Sequence, residues 1–424
     1  MTLSRRGFLG LSAAAAAAGL TGCGSRSSLG ATDELTMWTW TGSVNDGLIE
    51  QASKAIQGSD KRLLMTRIGS DYKTKVLTSL AGKSLVPDIV AMNDDVATYF
   101  PNADQFIDLH TLGADDLKSQ YLEWKWKLGI TPENRMMAFP MDTGPTALFY
   151  RRDKFEKANL PTEPLDVAEA ASDWDSYIEL GKKLKKAVPG SVLTDNIASA
   201  YRYGLSQQRQ RYMTPDGQYI GNGDHIRQVW DTSCRVIKEG LSANAQEDTT
   251  DVDAVVNNGR LAAFIGAVWW AQLGPKNAAP ETKGNWRVCA TPGGAGNRGG
   301  SFLAITKYCK DPEAAFAFIS WLESAKNQAQ AFLDPSLFPS TPATYEDPLL
   351  NEPDPFFGGQ RIVDVFGESA KAYPGTYFSP YDSIIGTPLV AELVNVEVGS
   401  KTPDQAWRDG QARVERELTR VGAI

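Results

Sequence analysis

Histidine is nearly absent from this sequence: His110 and His225 are the only two in 424 residues, and no Cys-x-x-C motif occurs. Zinc chemistry therefore has almost no ligands, and no metal site is expected. A histidine-based triad would have two widely separated candidates and no nucleophile elbow to serve. Cysteine is also scarce. Beyond Cys23 there are Cys234, Cys289 and Cys309, an odd set in which at most one pair can form. No block of Lys or Arg relieves a formal charge of -8, so the surface repels phosphate backbones and nucleic acid is not an expected partner. The glycine-rich run Pro292–Gly300 lacks the following Lys-Ser or Lys-Thr of a nucleotide loop. No internal repeat appears, and no cofactor is expected. The missing parts argue against an enzyme.

The length fits two packed lobes better than one core. A hydrophobic share of 42% and a charged share of 22% are those of a globular chain. The first residues read as an address. Ser4-Arg5-Arg6-Gly7-Phe8-Leu9-Gly10 is a basic segment with a twin-arginine pattern, compatible also with the general secretory route. Leu11 to Leu20 is alanine-rich and shorter than the roughly 20 residues a spanning helix needs. Leu20-Thr21-Gly22-Cys23 resembles a lipobox, in which Cys23 is acylated; the alternative is a plain signal peptide with an incidental cysteine. Residues 1–22 are thus expected to be removed, which leaves 41 basic against 51 acidic residues, a charge of -10. Residues 23–32 read as a lipidated cysteine and flexible tether.

Glu34 to Thr41 alternates and is rich in strand formers, Leu63 to Ile68 forms a second strand and Pro87 to Met92 a third. Helical patterns from Asn45 or Asp46 to Ile56, and from Tyr72 to Leu80, lie between them. Strand–helix–strand–helix–strand at these lengths predicts an open parallel α/β sheet. Further along, Thr146–Tyr150 and Arg260–Gly266 read as strands and Trp174–Lys186 as a helix. Two more strands flank the glycine-rich run. Asp311-Pro312 and Thr402-Pro403-Asp404-Gln405 each open a capped helix. The apolar stripe Trp407, Val414, Leu418 and Val421 is expected to pack onto a lobe.

Several segments, in order, resemble the extracellular solute-binding proteins of ABC importers, family 1, the maltose-binding-protein-like group. They are the strand with Trp38 and Trp40; Ser70-Asp71-Tyr72 with Leu77–Gly82; Pro87-Asp88-Ile89-Val90; and Pro140 followed by Tyr150–Phe155. Asn258–Phe264 through Trp269-Trp270, and Pro292-Gly293-Gly294 with Gly299–Ile305, complete the series. The resemblance implies an α/β, two-lobed periplasmic-binding-protein-like fold of type II, with parallel-rich sheets flanked by helices and a cleft between lobes. It implies an N-lobe of residues 33–140 and 291–335 and a C-lobe of 141–290 and 336–424. It also implies a monomer, lipid-anchored outside the cell membrane, that binds a carbohydrate and passes it to ABC permease subunits without chemical change.

The candidate ligand contacts follow from chemistry and from the resemblance together. In open α/β sheets ligands sit beyond the carboxyl ends of strands, where Trp40, Asp94 and Asp95 fall and where Asp142 marks the presumed crossing. A carboxylate there accepts bonds from sugar hydroxyls, while an indole covers the apolar face of a pyranose. Of Trp38 and Trp40 one is expected to face the core, with Trp40 at the site. The resemblance adds Trp269, Trp270, Gly300, Ser301, Tyr381 and Asp382. Plainer roles exist for each, such as helix caps for Asp94 and Asp95. Two other readings remain open: a secreted glycosidase using paired carboxylates, and a binder of a non-sugar ligand such as a polyamine, which the three acids would suit.

Overall fold

The computed structural model describes residues 34–55, 61–69, 71–246, 249–333 and 337–424. Cys23, the twin arginines and Ser70 lie outside the described residues.

Among the described residues ten strands are formed: β1 (Glu34–Thr39), β2 (Arg62–Arg67), β3 (Ile89–Met92), β4 (Phe139–Pro140), β5 (Asp142–Thr143), β6 (Thr146–Arg151), β7 (Ala263–Ala267), β8 (Trp286–Cys289), β9 (Phe302–Ile305) and β10 (Phe338–Pro339). Two sheets organise two lobes. The first has the order β2-β1-β3-β9-β4 and the second β7-β6-β8. Strands β1, β2 and β3 pair in parallel, as the alternation of strands and helices predicts. Strand β9 enters antiparallel between β3 and β4. The second sheet pairs its named strands antiparallel, with parallel bridges at Val192–Leu261 and Thr194–Ser242 beside it. The α/β class holds, but the parallel share is smaller than expected. Strands β6, β7 and β8 are joined through long excursions, not through the βαβ units that enforce parallel pairing.

The Pro87-Asp88 motif is a clasp between strands. The Asp88 carboxylate accepts the Thr36 N–H at 2.8 Å and its hydroxyl at 2.7 Å, while Thr306 donates its hydroxyl to the Pro87 carbonyl at 2.7 Å. Three strands are thereby fixed in register. One face of this sheet buries Leu35, Met37, Leu48 and Ala52 with Phe316, Ile319 and Leu322 of the helix Pro312–Leu322. The other buries Tyr72, Val76, Leu80, Val90 and Met92. Asp311 caps that helix through the Ala314 N–H at 3.0 Å.

The expectation that Trp38 and Trp40 face opposite ways fails for a geometric reason. Residues two apart on a strand share a face. Both indoles are half-buried and pack on the Tyr72 side of the sheet, and Trp40, just past the end of β1, also touches the core cluster of Leu35 and Met37.

In the second lobe the helices Ile197–Ser206, Asp224–Lys238, Asp382–Glu397 and Pro403–Arg420 build a helical layer around Tyr201, Trp230, Leu389 and Leu418. The C-terminal stripe packs there through Trp407, Val414 and Leu418, while Val421 is exposed. Cys234, Cys289 and Cys309 are free and buried.

Three stretches of chain lie side by side between the sheets. Strand β5 pairs antiparallel with β10, and Pro145 bridges Asn297. Arg298 donates its N–H to the Gly144 carbonyl at 2.8 Å. A Cβ at Gly144 would sit 1.9 Å from the Arg298 carbonyl oxygen, so only glycine allows this approach.

Candidate functional site

The carboxyl end of β3 runs into Asn93-Asp94-Asp95, and there the first lobe faces the helical layer of the second. Between them lies a cavity of about 440 Å³. Its first wall is Asp94, Asp95, Ala97 and Thr98; its second is built from Tyr201, Arg202, Arg211, Tyr212, Phe378, Ser379 and the first turns of the helix Asp382–Glu397. This is where an open α/β sheet is expected to hold a ligand, and the volume suits a small organic molecule.

Each wall is locally constrained. Asp94 accepts the Gly299 N–H at 3.1 Å, which ties it to the glycine-rich segment returning from the second lobe. Asp95 pairs with Lys73, and Thr98 donates its hydroxyl to the Asp95 carbonyl at 2.7 Å. On the opposite side the Arg211 guanidinium lies 4.7 Å from the Phe378 ring centroid and 5.6 Å from that of Tyr212. Two aromatic faces thus hold one cation. Asp382 begins its helix with the Asp382 N–H donated to the Ser379 carbonyl at 3.1 Å. Its carboxylate comes within 3.6 Å of Arg211 Nε. Burial pushes Asp382 up to about 6, while Arg211 and the nearby Ser379 amide pull the other way. The hydroxyls of Tyr201 and Tyr212 are 3.3 Å apart, and burial raises both.

The candidate residues divide into three groups. Asp94, Asp95 and Asp382 line the cavity, and Tyr381 sits directly before Asp382. Trp269 and Trp270 stack at 5.6 Å and are not among the cavity's lining. Trp269 Nε1 donates to the Arg298 carbonyl at 3.3 Å, and the Arg298 side chain spans the rings of Trp269 and Tyr203 at 5.9 and 5.2 Å. Through the adjacent Gly299, this unit reaches Asp94. The third group is elsewhere. Asp142, Gly300 and Ser301 are buried among the segments between the sheets, where Asp142 accepts the Ser301 N–H at 2.7 Å. Trp40 packs edge-on against Tyr72 at 5.4 Å and is not among the cavity's lining.

Arg211, Tyr201, Tyr212 and Phe378 escape the sequence reading. Gln207-Gln208-Arg209-Gln210-Arg211 looks like a solvated polar run, and only the following Tyr212 hints at burial. Lys125 escapes it too. Within Trp124-Lys125-Trp126-Lys127 nothing marks one lysine as fully buried, yet Lys125 lies under the Phe302 ring at 3.3 Å. Burial brings Lys125 down to about 7, against the pull of Asp142, Asp94 and Glu323.

A two-lobed α/β protein with a polar, aromatic-backed cavity between its lobes belongs to the class of binding proteins that take a ligand into a cleft. The profile of the bacterial extracellular solute-binding protein family matches residues 68–329, and this chain belongs to that family. Its relatives are solute-binding proteins, and membership of an extracellular family makes it an exported protein. The lactose-binding protein of Rhizobium radiobacter is 24% identical over 378 residues, covering 85% of this chain and 87% of its own. Among solved structures, an extracellular solute-binding protein of family 1 superposes with a TM-score of 0.84 at 28% identity, over 91% of this chain and 99% of that one. The galacto-N-biose-/lacto-N-biose I-binding protein of the ABC transporter from Bifidobacterium longum, in complex with lacto-N-biose, gives 0.76 at 20% identity, over 92% and 98%.

Proposed function

We propose that this protein captures a neutral sugar, of one to a few rings, in the interlobe cavity and delivers it to an ABC-type importer in the membrane. One observation carries the reading: carboxylates from both lobes converge on a single cavity with two arginines and two tyrosines of the second lobe. The Rhizobium radiobacter relative, whose name states lactose binding, supports the chemical class. Carboxylates accept from sugar hydroxyls, guanidinium donates to them, and aromatic rings cover the apolar faces between.

In this reading Asp94, Asp95 and Asp382 touch the sugar, and Trp269, Trp270 and Tyr381 shape the cavity from behind. Asp142, Gly300 and Ser301 hold the segments about which the lobes close, and Trp40 buttresses Tyr72. The lobes divide as residues 33–140 with 291–335, and 141–290 with 336–424. Closure selects the state that the permease subunits recognise. The sugar leaves unaltered. The protein is a monomer held outside the membrane by acylated Cys23, exported by the twin-arginine or general secretory route.

A thermal-shift screen of the exported chain against mono- and disaccharides, uronic acids and polyamines tests the reading. A sugar at a hundredfold excess over its Kd should stabilise the fold by about 2.7 kcal/mol. Stabilisation by polyamines alone, with every sugar silent, would replace the sugar reading by a cation one.

A further inference from the structure

Among the described residues, Asp382 is the only carboxylate with both oxygens buried and neither within good hydrogen-bond geometry of a protein group, the Ser379 amide being merely near it. Arg211 Nε is likewise buried without a hydrogen-bonded acceptor. The two face each other at 3.6 Å, too far for a hydrogen bond and close enough for one hydroxyl to touch both. Buried polar atoms of this kind are costly unless something pairs with them, and both residues line the interlobe cavity. Arg211 is held in place by the Phe378 and Tyr212 rings, and Asp382 by its position at the start of a helix. The pair is therefore preorganised.

We propose that Arg211 and Asp382 form the specificity device of the cleft, reading two neighbouring hydroxyls of a neutral sugar. This rests on the sugar reading above. One hydroxyl accepts from Arg211 Nε while donating to one Asp382 oxygen; its neighbour donates to the other oxygen. A sugar whose second hydroxyl is missing or inverted leaves one carboxylate oxygen unpaired in a closed cavity and binds more weakly. A uronic acid would set a further negative charge beside Asp382, with Asp94 across the cavity. An amino sugar would have to place its ammonium against Arg211, with Arg202 on the same wall.

The charged and titratable groups around Asp382 are Arg211, Arg202, Tyr212 and Tyr377 on its own side, and Asp94 and Asp95 opposite. With Asp382 titrating at about 6, the sign is fixed. The ionised carboxylate accepts two hydroxyls and its protonated form does not, so affinity falls as pH drops through that value.

Calorimetric titration of the exported chain with lactose, cellobiose, maltose and the deoxy derivatives of whichever binds best is the test. Lactose and cellobiose differ in the configuration of a single hydroxyl. Asp382→Asn, once shown to melt cooperatively, should weaken the best sugar by about 10- to 100-fold. It should cost clearly less for either derivative lacking one of the two hydroxyls, and nothing for the derivative lacking both. The wild-type protein gives a second reading that needs no variant. Its affinity for the best sugar should fall between about pH 7.5 and about pH 5, and its affinity for the derivative lacking both hydroxyls should not. If a sugar binds and both Asp382→Asn and acidification leave its affinity within twofold of the reference, the pair is not the reader and the sugar reading stands. If none of these sugars binds the wild type, the sugar reading fails and this inference falls with it.

Discussion

The Asp142 carboxylate accepts the Ser301 N–H at 2.7 Å, joining the first and second stretches of chain between the sheets inside the protein. Lys125 lies beside the same junction, its Nζ 3.2 Å from where a Cβ on Gly300 would fall. Gly300 sits at φ +92°, a left-handed conformation. Asp142→Ala should leave the Ser301 N–H buried without its acceptor and remove one of the three acids that offset the buried Lys125 ammonium. Loss of roughly 3–5 kcal/mol of stability is expected in denaturant titration. Asp142→Asn keeps an acceptor oxygen and should lose clearly less. Equal losses for the two variants would mean that the negative charge matters and the acceptor oxygen retained by Asn does not.

A second carboxylate of this region predicts how stability follows pH. Burial pushes Glu323 up to about 8 from an ordinary 4.5, with Asp142 adding to the rise and Gln328 and Lys125 opposing it. The folded state therefore keeps a proton that the unfolded chain gives up. Stability associated with Glu323 is fully present below 4.5 and lost as pH rises through about 8. Glu323→Gln has no proton to lose, so the variant should gain on the wild type steadily across that window. Melting temperatures at several pH values read this directly. Parallel pH profiles for the two proteins would contradict it.

The first lobe was the more legible. Alternation in β1, the Pro87-Asp88 motif and the Asp311 cap are local signals, and each describes an element whose partners are near in sequence or bound through its own backbone. The site was half legible. Asp94 and Asp95 announce themselves as acids at the end of a buried strand, and Asp382 as an acid opening a helix. Arg211 does not, because its burial depends on Phe378, 167 residues away in the chain, folding over it. Asp142 shows the opposite case. An acid after a crossing proline suits ligand binding, yet the backbone of Ser301 reaches it first. The direction of the second sheet's strands was hidden for the same reason, since β6 and β7 pair across more than a hundred residues.

Membrane retention is a prediction about the chain's first residues. Cys23→Ala should release the protein from the membrane fraction, while its melting temperature and sugar binding stay as in the wild type. A variant that remains membrane-bound would remove the lipid anchor and leave the binding function untouched.

The central claim is that a sugar is held between the lobes, in contact with both walls. Hydrogen–deuterium exchange with and without the sugar that best stabilises the protein tests this most directly. Amides of residues 94–99 in the first lobe, and of 201–212 and 378–391 in the second, should exchange more slowly when the sugar is bound. Protection absent from all three stretches, and confined instead to another surface such as the groove between Gln272 and Ile362, would contradict the account.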